Sequence, residues 1–81
     1  MTLDDIRTAF IEELNSVAPD IAPEDIQDTD HIQEDLGLDS MDVLNLVTAL
    51  HRRLGVDIKE PEYPQIATVE RAVAIIAAKL D

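Results

Sequence analysis

"EDLGLDSMDVL", residues 34–44, places a glycine, an acid and a serine directly before a run of apolar residues at helical spacing. Val43, Leu46, Val47, Leu50 and Leu54 continue that run at steps of three, one, three and four, which makes one buried face of a helix. The helix is expected to begin at Asp39 or Ser40, either of which can accept a bond from a first-turn amide, and to run to Leu54. Gly55 suits its C-terminal stop. His51, Arg52 and Arg53 put positive charge in its last turns, where it complements the helix dipole.

Upstream, Leu3, Ile6, Phe10, Leu14 and Val17 form the apolar face of a helix of about four turns. Thr2 supplies its cap, and Asp4 and Asp5 are first-turn acids. "APDIAP" ends it, because each proline disfavours helix at the residue before it. The connection from about Ala18 to Asp39 is long for a chain of 81 residues. Its Ile21, Ile26, Ile32, Leu36 and Leu38 predict a segment packed across the core. Downstream, "VDIKEPEYPQIA" holds at most a short helix with Pro61 or Pro64 near its first turn. Thr68 caps a last helix whose face is Val69, Val73, Ile76 and Leu80, with Ala72 and Ala77 allowing close approach. Aromatics are only Phe10 and Tyr63, so the core is aliphatic, which favours helices. The fold expected is all-α: a small antiparallel bundle of three main helices plus one short helix, as a single domain over residues 1–81.

Composition excludes several function classes. No cysteine is present, which removes disulfides, a thiolate nucleophile and the common structural zinc sites. Eighteen acids against six bases give a formal charge of −12, with no Lys or Arg between Arg7 and Arg52. Nucleic acid and anionic membranes are poor partners for such a chain, and a basic protein surface is a good one. The start "MTLDDIRTAF" is no secretory signal. The longest strictly apolar run, residues 72–78, is too short to span a bilayer. A cytoplasmic protein that works as a monomer is the expectation.

No residue set suggests catalysis, so no enzyme is expected. His31 and His51 have no sequence partners for a triad or a metal site. Gly37 and Gly55 cannot build a phosphate-cradling loop. "DTDHIQEDLGLD" has the acids of a calcium loop in the wrong order, with Ile32 and Gln33 where a ligand and a glycine belong. No metal site is therefore assigned. Met41 and Leu44 lie off the buried stripe of the second helix, beside Asp39 and Asp42. They form a small docking patch, or the long loop covers them, or they are ordinary surface hydrophobes.

Ser40 has two readings. Serine is favoured where helices begin, so it can be a cap. Alternatively, Gly37 permits a tight turn that brings the hydroxyl to an exposed corner, where helix amides favour a phosphate. Here "DLGLDSMD", residues 35–42, resembles the Asp-x-Gly-x-Asp-Ser-Leu/Met motif of acyl carrier proteins and the related peptidyl carrier domains. The resemblance extends over length, acidity, the long first loop and the closing "ATVERAVAIIAAKL".

It implies a freestanding carrier without catalytic activity of its own. Ser40 would bear 4′-phosphopantetheine, donated by coenzyme A through a phosphopantetheinyl transferase with Mg²⁺. The thiol of that arm would hold an acyl or aminoacyl thioester, which also accounts for the absent cysteine. Asp39, Met41, Asp42 and Leu44 would face the basic surfaces of a loading enzyme and of downstream synthases or transferases. The family's acidic stripe on the second helix is replaced here by Asn45, His51, Arg52 and Arg53, and "EYPQIAT" replaces an acid-rich segment. Both departures point to a specialised pathway rather than primary fatty-acid synthesis. The competing reading is an acidic helical adaptor that binds a basic partner without a prosthetic group.

Overall fold

Three α-helices are built where the apolar periodicity falls: α1 (Leu3–Val17), α2 (Ser40–Leu54) and α3 (Val69–Leu80). The computed structural model describes residues 1–80. α1 opens on a reciprocal cap in which the Thr2 hydroxyl accepts from the Asp5 amide and the Asp5 carboxylate accepts from the Thr2 amide, both at 3.1 Å. Those bonds hold the Asp5 carboxyl below its ordinary value, the Thr2 amide contributing most. α1 ends at Ala18, which leaves the helical region ahead of Pro19, as the following proline favours. α2 ends on Gly55, whose φ of +71° is left-handed.

The expected three main helices plus one short one are present, and the short one is a 3₁₀ segment, Glu60–Ile66, with Pro61 in its first turn and Pro64 inside. A second, unexpected 3₁₀ turn spans Pro23–Asp25 within the long connection. That connection does cross the core: Ile26, Ile32 and Leu38 are buried, and Ile21 and Leu36 pack against the same cluster. It is stitched to the start of α3 by backbone bonds. The Asp28 and Asp30 carbonyls accept from the Glu70 and Val69 amides at 2.9 and 3.2 Å, and the Ala67 carbonyl from the Ile32 amide at 2.9 Å. The Thr68 hydroxyl caps α3 by accepting from the Arg71 amide.

α1 packs against both α2 and α3, and α3 against the Glu60–Ile66 segment. Phe10, Leu14, Leu46, Leu50, Ile66 and Ile76 meet at the centre without solvent exposure. Val56 and Ile58 join them from a stretch read as loop. Two residues assigned to core faces are not in the core: Leu3 is 62% exposed and Leu80 39%. They sit at the outer ends of α1 and α3, past the reach of the central cluster, and border a shallow groove with Met1, Ile6 and Ala77. Among the described residues no helix is long and apolar enough to cross a membrane.

Candidate functional site

The turn that delivers Ser40 is folded around His31. The His31 carbonyl accepts from the Asp35 and Leu36 amides, its own amide donates to Asp35 Oδ2 at 2.7 Å, and Nδ1 accepts from the Gln33 and Glu34 amides. His31 is thus locally bonded within this turn. The Gly37 amide then donates to the Gln33 carbonyl and the Leu38 amide to the Ile32 carbonyl. Gly37 adopts φ +80°, a left-handed conformation that suits glycine. Leu38 is buried directly after it, so the chain is anchored two residues before the serine.

Asp39, not Ser40, caps α2. Asp39 Oδ1 accepts from the Asp42 amide at 2.8 Å, and Asp42 Oδ2 accepts from the Asp39 amide at 3.2 Å. Ser40 is the first residue of the helix, exposed, and its hydroxyl has no hydrogen bond among the described residues. Of the two caps the sequence offered, the structure takes Asp39: its carboxylate already satisfies the first-turn donor that a serine hydroxyl would have taken. The Ser40 and Met41 amides have no acceptor within the described residues, so two donors and the positive end of the dipole face outward beside the hydroxyl.

Ser40 lines a cleft of about 610 Å³. Its walls are the His31–Glu34 turn, Val43 and Leu44 of α2, and Glu60, Tyr63 and Pro64 of the 3₁₀ segment. Glu60 and Tyr63 were not expected at this site; Tyr63, the one phenol in the chain, carried the only available signal. Met41 and Leu44 are 62% and 47% exposed, so the long loop does not cover them. Asp42 is half-buried and engaged with Asp39, while Asp39 is exposed.

At the far end of α2 the expected basic patch loses one of its three members to an ion pair. Arg53 forks onto Glu12 and Glu13 of α1 at 2.7 and 2.9 Å, and Asp57 pairs with Lys59 at 2.6 Å. Bonds to Glu13 and then Glu12 raise the Arg53 pKa further. His51 and Arg52, the other two members of the patch, have no carboxylate partner among the described residues. A side chain placed for the dipole can equally reach a neighbouring helix, and sequence spacing within α2 does not report α1.

The fitness of this site for a covalent phosphodiester follows from three observations: an exposed, unbonded hydroxyl, adjacent unpaired amides, and an open cleft for a flexible arm. The chain matches the family described as "Phosphopantetheine attachment site" over residues 4–76. It is similar to the acyl carrier protein of Wolinella succinogenes, 38% identical over 73 residues and covering 90% of each chain. Similarity to the acyl carrier protein of Sulfurovum sp. is 34% over 73 residues, 90% of this chain and 91% of the relative. Similarity to that of Helicobacter hepaticus is 34% over 77 residues, 95% of each.

Proposed function

Because the chain belongs to the acyl carrier protein family, whose members bear covalent 4′-phosphopantetheine and carry rather than catalyse, we propose that Ser40 is the attachment residue. The observation that carries this assignment is the division of labour at the start of α2: Asp39 caps, and the Ser40 hydroxyl is left exposed on a cleft. When bound, the group supplies a terminal thiol for thioester formation. The chain's own residues present the hydroxyl on a fixed turn, offer two amides to the phosphate, and leave space for the arm to fold back. Tethering raises the effective concentration of cargo at each enzyme that docks.

The docking face runs over Asp39, Met41, Asp42 and Leu44. Exposed apolar contacts beside carboxylates suit a partner with a small hydrophobic seat ringed by Lys or Arg. Such partners are a phosphopantetheinyl transferase, a loading enzyme and downstream synthases or transferases. We place the protein in a specialised pathway rather than primary fatty-acid synthesis. Asn45, His51 and Arg52 interrupt any acidic stripe along α2, and Tyr63 with Pro64 gives the cleft a bulky, stiff wall. The pairing of Arg53 with Glu12 and Glu13 weakens the first of these supports without abolishing it.

Intact-mass measurement after incubation with coenzyme A, Mg²⁺ and a permissive phosphopantetheinyl transferase tests the assignment. One added phosphopantetheine on the wild type and none on Ser40→Ala is expected. Addition to the Ser40→Ala protein would move the site elsewhere.

A further inference from the structure

The cleft beside Ser40 lies over a seam. α2 packs on α1, and the Glu60–Ile66 segment packs on α3, but the backbones of α2 and that segment make no close approach. Of the side chains lining the cleft between them, the bulkiest is Tyr63. It is half-buried, packed against the core cluster, and shares the cleft with Ser40, Val43 and Ile32. Its hydroxyl has no hydrogen-bond partner among the described residues, so the ring is held by packing.

Tyr63 also stands on an unusually firm mount. Pro61 and Pro64 flank it and fix their own φ angles. Glu62, its neighbour, accepts from the Lys59 amide at 3.0 Å and pairs with Lys79 of α3 at 2.8 Å. The Glu62 amide donates to the Lys59 carbonyl at 2.8 Å. The backbone before the ring is thus tied at the start of the segment and, through Glu62, to α3.

We propose that Tyr63 is a specificity-determining wall that limits the length of cargo the cleft can shelter. This rests on Ser40 as the attachment residue, since an arm starting there reaches the cleft that Ser40 lines. A short or compact thioester cargo packs against Val43, Ile32 and the ring face. A longer alkyl chain meets the ring before it meets the core and runs into solvent.

The test loads Ser40 enzymatically with acetyl-, butanoyl-, hexanoyl- and octanoyl-phosphopantetheine and records Tm for wild type, Tyr63→Ala, Tyr63→Leu and Tyr63→Phe. Sheltered methylenes raise Tm by up to about 3–6 °C each in a domain of this size, and exposed ones do not. Wild type and Tyr63→Phe are expected to gain through the shorter chains and then level off. Tyr63→Ala is expected to keep gaining to octanoyl, with Tyr63→Leu intermediate. If the alanine variant does not fold, as judged by circular dichroism, the leucine variant against wild type decides. A gain that continues to octanoyl in wild type, or a length profile identical in all folded variants, overturns the proposal while leaving the carrier assignment intact. Failure to load Ser40 at all overturns both.

Discussion

Gly37 and Gly55 provide a controlled pair for asking what the turn before Ser40 contributes. Both are left-handed, at φ +80° and +71°, and a Cβ built on either meets no atom within 4 Å. Alanine there is penalised by backbone conformation alone, roughly 1–2 kcal/mol. Loss of chain freedom in the unfolded state returns about 0.4–1 kcal/mol. The net destabilisation is then about 1 kcal/mol at each site, or a fall in Tm of about 4–8 °C. Urea denaturation of Gly37→Ala and Gly55→Ala is expected to give matching losses, and asparagine at either site a smaller one. Their effects on loading should differ. Gly37 sits three residues before the hydroxyl, so Gly37→Ala slows phosphopantetheine transfer under conditions where both proteins are folded. Gly55→Ala, at the far end of α2, leaves the rate unchanged. A loss well above 3 kcal/mol at Gly37 would mean that the turn is sterically closed, contrary to the open space around it. Equal slowing by both variants would mean that the rate reports global stability and not the turn.

Packing separates the two stripes of α2 just as sharply. Leu46→Ala, at a fully buried position, should cost about 2–5 kcal/mol, much of the roughly 4–12 kcal/mol available to a chain of this size. Met41→Ala and Leu44→Ala should change stability by no more than about 0.5 kcal/mol yet weaken transferase binding, measurable by titration calorimetry. With a formal charge of −12, Tm should rise as salt shortens the screening length to about 8 Å at physiological strength; a salt-indifferent Tm would sink that account. On acidification two effects oppose each other. Glu62 is held below its ordinary 4.5 chiefly by Lys79, and Asp57 below 3.8 chiefly by Lys59. Depressed carboxyl pKa values stabilise the fold above the unfolded values and lose that contribution as pH falls through the folded ones. Relief of acid–acid repulsion acts in the other direction as the pI of about 4.2 is approached. Thermal melts should therefore show Tm rising from pH 7 toward 5 and falling below about 4, with a shallower acid-side fall in Glu62→Gln.

Local rules made most of the fold legible. Helical periodicity with Thr2, Gly55 and Thr68 as boundary residues gave all three helices, and isoleucines spaced through the long connection showed that it crosses the core. Leu3 and Leu80 failed because periodicity gives a direction around the helix and says nothing about how far along it the core extends. Val56 and Ile58 were passed over because two apolar residues, split by Asp57 and set between Gly55 and Lys59, are too few to establish a period. Within the site, the motif singled out Ser40, but the competition between Asp39 and Ser40 for the cap needed coordinates, since both are competent acceptors one residue apart. Arg53 was misplaced for the same kind of reason. Its partners, Glu12 and Glu13, lie some forty residues away, and only tertiary packing brings them together.

The distribution of those long-range pairs has a consequence for where the molecule can yield. Arg53 ties α2 to α1, Arg7 ties α1 to the connection through Asp28 at 2.6 Å, and Lys79 ties α3 to the segment that holds Tyr63. Each latch lies within one side of the cleft, and none among the described residues joins α2 to the Glu60–Ile66 segment. These surface pairs are individually weak, so their importance is directional rather than energetic. Parting α2 from the 3₁₀ segment breaks no ion pair among the described residues, and the face between them carries Val43 and the Tyr63 ring, against which an apolar cargo can pack. Parting α1 from α2 breaks a bidentate arginine and exposes Leu14 and Leu50. Ion pairs thus brace α2 against α1 and the 3₁₀ segment against α3, and among the described residues none spans the face on which Ser40 stands.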